Sequence, residues 1–161
     1  FLPYLMGERT PHLDPDCRGV FFGLSAMHTR CDLIRAVMEG VACSLQDCLS
    51  VLQEMEINPN SIALCGGGAN SPVWRQMLAD LFNCKVNTMQ ANEGAAQGAA
   101  ILAAVGSGLF KTVQDACNIF VKEDKFFPPS LENVRQYRRI YAQYKALYPA
   151  LSPFFKELGK L

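Results

Sequence analysis

The sequence has no excess of charge of either sign. Fifteen basic and 15 acidic residues are intermixed along 161 positions, which leaves no basic face for nucleic acid and no cationic patch for an anionic membrane surface. Histidine is scarce. His12 and His28 stand too far apart to share one helical turn as a metal pair, so each reads as a surface residue or one at the start of a helix, and no metal site is expected. Seven cysteines are present, at positions 17, 31, 43, 48, 65, 84 and 117. Their number is odd, none shows Cys-x-x-Cys spacing, and most lie in apolar runs. This pattern excludes a disulfide framework and a zinc ribbon and reads as buried thiols in a reducing cytoplasm. Long hydrophobic runs are absent as well. The apolar start "FLPYLMG" is broken by Pro3 and meets charge at once, unlike a secretory signal. The small-residue stretch from Ala91 to Gly108 carries Glu93 and Gln97 and is too short to span a bilayer. There is no initiator methionine, so the chain reads as part of a longer protein.

Half the residues are hydrophobic, enough for one core and hence one domain over residues 1–161. Residues 1–24 are interrupted by Pro3, Gly7, Pro11, Pro15, Gly19 and Gly23, which predicts a folded loop segment. Thr29 with Asp32 three residues on predicts a capped helix to about Met55. Its apolar stripe of Ile34, Val37, Val41, Leu45 and Leu49 is expected to be core and to pack on the strand "SIALC". That run is apolar on both faces, as a central parallel strand would be. Ser71 and Pro72 start a second helix whose stripe is Trp74, Met77, Leu78, Leu81 and Phe82, and "KVNTM" follows as a second strand.

A helix from about Gly94 to Val105 is built of alanines and two glycines, Gly94 and Gly98. Their spacing predicts close approach to a neighbour rather than a membrane dimer. A short helix around Thr112 to Ile119 and a last helix with Leu131, Val134, Tyr137, Ile140, Tyr141 and Tyr144 complete the chain. The tyrosines read as core or interface contacts, with this helix also the favoured surface for a homodimer. Helix, strand, helix, strand, helix defines an α/β domain with parallel strands and packed helices. Two strands are few for it, so the first strands are expected to be missing.

"LCGGGANSPVW" is the stretch most in need of explanation, because three glycines in a row cost backbone entropy. A tight strand-to-helix turn explains it as well as a nucleotide shelf, where glycines let a flat ligand lie on the backbone beside a helix N-terminus. The stretch is neither a Walker loop nor a dinucleotide fingerprint, since Gly-Lys-Ser/Thr and Gly-x-Gly-x-x-Gly are both absent.

Four segments, "PYLMGERTPHLDPDCRG", "GVFFGLSAMHTRCDLIRAVME", "GGGANSPVWRQMLAD" and "EGAAQGAAILAAVG", with the ending "YRRIYAQYKALYPAL", resemble the C-terminal half of the FGGY family of carbohydrate kinases. Gln97 departs from the pattern, standing where many members are apolar. The resemblance implies the C-terminal lobe of an actin, hexokinase and heat-shock-chaperone type (ribonuclease H-like) fold, with the active site in the cleft between two lobes. ATP with Mg2+ would lie mainly on this lobe. Gly66, Gly67, Gly68 and Ala69 would line the adenine and ribose pocket, and Asn70 and Ser71 would supply polar contacts. The partner would be the N-terminal lobe, which carries the catalytic aspartate. The substrate would be a sugar in the cleft, D-xylulose being favoured by overall likeness. The isolated chain is then expected to be inactive. A stand-alone actin-like nucleotide-binding or regulatory module remains the alternative.

Other candidates read as structural. Asp14 and Asp16 flank Pro15 in what is expected to be a solvated turn. Glu8 and Arg9 are expected to form an anchoring ion pair. Glu93 is accounted for by the helix dipole, although the resemblance implies that its position lies close to the nucleotide.

Overall fold

The computed structural model describes residues 1–90 and 94–159. Its elements are α1 (Arg30–Glu54), β1 (Ser61–Leu64), a 3-10 turn (Gly67–Asn70), α2 (Pro72–Phe82), β2 (Lys85–Met89), α3 (Gly94–Gly106), α4 (Val113–Phe120), β3 (Glu123–Phe127) and α5 (Leu131–Leu158). They divide between two compact units. The first comprises Phe1–Asn58, Asp80–Asn83 and Ser130–Leu161, and the second Pro59–Ala79 and Cys84–Pro129.

In the first unit, the proline- and glycine-broken segment is a folded loop as expected. Antiparallel bridges Leu2–Val20 and Glu8–Asp14 hold it, with Leu2, Tyr4 and Cys17 buried. Full burial of a side chain such as Leu2 is worth about 1.5–3 kcal/mol. The predicted capping box starts α1, the Asp32 carboxylate accepting the Thr29 amide at 2.7 Å. The buried side of α1 differs from the predicted stripe. Of that stripe Leu49 is buried and Val41 half-buried, whereas Ile34, Val37 and Leu45 are exposed; Gly40, Ala42, Cys43, Gln46 and Asp47 complete the buried side.

Close approach and polar pairing select this side. A Cβ at Gly40 would lie 2.3 Å from the Phe1 carbonyl oxygen. Tyr141 donates its hydroxyl to Asp47 at 2.5 Å, and Tyr137 donates to Glu39 at 3.3 Å. In α5, Val134, Tyr137, Tyr144 and Phe155 are buried, so these aromatics are core. Tyr137 and Tyr144 are thereby withdrawn from any outer surface. Leu131 and Ile140 are exposed instead. Asp80, at the end of α2, accepts the Ser130 amide at 2.7 Å and the Asn133 side-chain amide at 2.8 Å, satisfying donors in the first turn of α5.

In the second unit, β2 pairs with β1 in parallel, Ser61 opposite Lys85 and Leu64 opposite Thr88. It also pairs with β3 in antiparallel sense, Val86 opposite Phe127. The sheet is therefore mixed, in order β1-β2-β3, which corrects the purely parallel expectation. Among the described residues β1 is an edge strand rather than a central one. The segment "EDKFF" escaped sequence reading because three of its five residues are charged; as the other edge strand it can keep those charges in water.

Met77, Leu78 and Ala79 of α2 and Val86 of β2 are buried. Thr112 caps α4 by accepting the Asp115 amide at 3.1 Å. Only half of the expected glycine contact in α3 occurs. A Cβ at Gly94 would sit 3.2 Å from the Cys65 sulfur, whereas one at Gly98 would meet nothing within 4 Å.

All seven cysteines are free, but only Cys17 and Cys43 are buried, and Cys31 and Cys65 are exposed, which corrects the expectation of buried thiols. Among the described residues no helix is long and apolar enough to cross a membrane.

Candidate nucleotide-binding site

β1 ends at Leu64, and the chain leaves it through Cys65 into Gly66, whose φ of 79° and ψ of −174° lie in a region that essentially only glycine occupies. The Gly66 carbonyl accepts the Ala69 amide at 3.1 Å, and the Gly68 carbonyl accepts the Ser71 amide at 3.1 Å, closing the 3-10 turn. Ser71 caps α2, its hydroxyl oxygen accepting the Trp74 amide at 3.3 Å. Pro72 fills the first helical position, where its missing N–H costs nothing. The predicted strand, glycine loop and capped helix are all present.

The three glycines have different reasons to be glycine. Gly66 is fixed by its backbone. At Gly68 a Cβ would touch the Trp74 indole nitrogen at 3.4 Å. Gly67 has neither constraint: its φ lies outside the left-handed region, and an added Cβ would meet nothing within 4 Å. Gly66, Gly67, Gly68 and Asn70 are exposed, Ser71 is half-buried, and Ala69 is buried. Trp74, the one tryptophan of the chain, borders the loop at Gly68, a relationship that its assignment to the α2 stripe did not reveal. Glu93 lies outside the described residues.

The remaining candidates are tied into the first unit. Asp14 is buried rather than solvated. It accepts the Tyr148 hydroxyl at 2.8 Å and the Asp16 amide at 2.9 Å, and the tyrosine bond in particular holds its carboxyl below the usual range. Glu8 directs its two oxygens to the amides of Thr10 and His12, at 2.5 and 2.8 Å, in place of the expected pairing with Arg9. His12 is stacked on Tyr148 with centroids 3.6 Å apart.

A mixed sheet with packed helices and an exposed glycine loop between a strand end and a capped helix defines an α/β class of protein. Residues 1–107 match the family model described as "FGGY family of carbohydrate kinases, C-terminal domain", and the chain belongs to that family. The chain is 45% identical over 148 residues to the xylulose kinase of Staphylococcus epidermidis, spanning 92% of this chain and 30% of that protein. The crystal structure of ligand-bound xylulose kinase from Lactobacillus acidophilus superposes with a TM-score of 0.89 at 32% identity, covering 98% of this chain and 32% of the other. Gluconate kinase from the same organism gives 0.88 at 32% identity, again over 98% of this chain and 32% of the other. The chain thus spans about a third of the length of its relatives, and its fold is that of the actin/hexokinase-type sugar kinases.

Proposed function

We propose that this chain is the ATP-binding lobe of a cytoplasmic kinase that transfers the γ-phosphate of ATP to a sugar hydroxyl, converting D-xylulose to D-xylulose 5-phosphate. Both compact units belong to this one lobe, and an N-terminal lobe supplies the aspartate that takes the proton of the attacking hydroxyl. The observation that carries the reading is Gly67. Neither its backbone conformation nor a neighbouring atom requires glycine there, so the absence of a side chain is explained by a flat ligand lying against the backbone. Gly66, Gly67, Gly68 and Ala69 line that floor, and Asn70 and Ser71 offer polar contacts at the start of α2.

Among the described residues no group of three or more His, Cys, Asp or Glu side chains converges to hold an ion. In this reading the Mg2+ is carried by the nucleotide phosphates, whose developing charge it neutralises. Xylulose is favoured because xylulose kinases are among the relatives of highest identity. The isolated chain is inactive, since the catalytic aspartate belongs to the other lobe. Self-association is assigned to the outward side of α5, where Leu131 and Ile140 are exposed.

The test is Gly67→Val in the full-length enzyme. The expected result is a KM for ATP raised at least tenfold, with the KM for D-xylulose and the melting temperature unchanged. Equal loss of stability and of all activity, or an unchanged KM for ATP, would overturn the reading.

A further inference from the structure

The first unit contains a second feature with the character of a binding site. A cavity of about 140 Å³ is bordered by His12, Asp47, Glu54, Tyr144, Lys145 and Tyr148. Its walls are held in place. The His12 ring lies on Tyr148 at 3.6 Å with planes 10° apart and meets Tyr4 edge-on at 5.7 Å. Tyr148 is in turn fastened by its hydroxyl to Asp14 at 2.8 Å.

The polar groups facing this space are underused. Asp47 is 5% exposed and receives the Tyr141 hydroxyl on Oδ1, while among the described residues Oδ2 accepts no hydrogen bond. Among the described residues the carboxylate of Glu54 and the ring nitrogens of His12 make no hydrogen bond. The Lys145 ammonium lies 5.7 Å from the Tyr141 ring centroid and acts electrostatically on Asp47, but among the described residues it donates no hydrogen bond. Convergent polar groups with spare hydrogen-bonding capacity around a partly apolar cavity are the signature of a small-molecule site.

We propose that this cavity binds a small neutral polyol. Asp47 and Glu54 accept from its hydroxyls, Lys145 and His12 donate to them, and its C–H edge rests on the rings of Tyr144 and Tyr148. Acidic and basic groups share this lining, with His12 and Lys145 acting on Asp47, so its charges are compensated within the protein and a neutral ligand is favoured over an ion. The volume corresponds to roughly four to five waters at about 30 Å³ each, the room taken by a polyol of about three or four carbons. Burial already pushes the Asp47 carboxyl up from its ordinary range, as expected of a carboxylate short of donors. The glycine loop belongs to the other unit.

The test is saturation-transfer NMR on the full-length protein with erythritol as the probe. Saturable transfer at millimolar concentration is expected, weakened at least tenfold in Glu54→Gln/Lys145→Met. Both replaced residues are exposed, so the melting temperature is expected to hold; Lys145→Met alone is the second variant should the pair unfold. Absence of saturable transfer, or the same affinity in the folded variants as in the parent, would overturn the proposal. The latter outcome would place erythritol elsewhere on the enzyme.

Discussion

The hydroxyls of Tyr4 and Tyr144 lie 2.9 Å apart in the interior of the first unit, 140 positions apart in the sequence. Burial pushes both phenols well above their ordinary range, so each stays a neutral donor and acceptor for the other. Replacing either by phenylalanine leaves one buried hydroxyl alone, at a cost of about 1–3 kcal/mol. The double replacement should cost less than the sum of the two. A double-mutant cycle read by chemical denaturation of the full-length protein checks this, and strict additivity would show that the two hydroxyls do not depend on each other.

Asp80 should be among the least replaceable acidic residues, since one carboxylate serves two donors in the first turn of α5. Asp80→Ala is expected to lose about 2–4 kcal/mol, in line with two hydrogen bonds to a charged group. Asp80→Asn, which retains one acceptor oxygen, should lose less. Melting curves of the two variants give the order.

Two aspartates in the first unit should drive stability in opposite directions with pH. The carboxyl of Asp14 is held low, chiefly by Tyr148. Its contribution is therefore present above the unfolded value of about 3.9 and is lost as pH falls through the lower folded value. The carboxyl of Asp47 is held high, chiefly by burial. Its contribution is present below the unfolded value and is lost as pH rises through the folded one. Tyr148→Phe should therefore reduce the loss of stability on acidification, and Asp47→Asn should remove a loss incurred on returning towards neutrality. Denaturation midpoints between pH 3 and pH 7 separate the two.

Gly66 and Gly67 are adjacent but should respond differently to alanine. At Gly66 a Cβ meets the backbone conformation itself, and a loss of about 1–3 kcal/mol is expected. At Gly67 the change should stay within about 0.5 kcal/mol. Equal melting shifts would mean that the loop geometry described for Gly66 is wrong.

Cys65 is exposed and immediately precedes the glycine loop. Saturating Mg-ATP should slow its alkylation by iodoacetamide severalfold in the full-length enzyme. Cys31, exposed at the start of α1, should react at the same rate with and without nucleotide. Peptide mass mapping reads both rates in one sample.

Features encoded by neighbouring residues were legible in the sequence. The Thr29–Asp32 box and Ser71 with Pro72 each start a helix at the predicted place because the donor and acceptor lie within one turn. The loop from Gly66 to Ser71 was legible for the same reason. What could not be read was decided by partners far along the chain. The buried side of α1 follows from Phe1 against Gly40 and from Tyr137 and Tyr141 of α5, so a count of apolar residues selected the wrong stripe. Asp14 looked like a solvated turn residue until Tyr148, 134 positions away, supplied its donor. The strand "EDKFF" has a charge pattern suited to a rim, and only pairing with β2 makes it a strand.

The two outer strands of the sheet differ in how they meet water, and this difference bears on how the chain can be handled. β3 carries Glu123, Asp124 and Lys125 along its length, side chains that would have to be desolvated before another strand could join it. β1, "SIAL", carries no charge and no proline, and among the described residues it pairs on one side only. Produced as a separate 161-residue polypeptide, the chain would have one guarded rim and one adhesive rim. Strand-to-strand association between copies would then start at β1, and Ala63→Lys, which puts a charge on that rim, is the change suited to discouraging it.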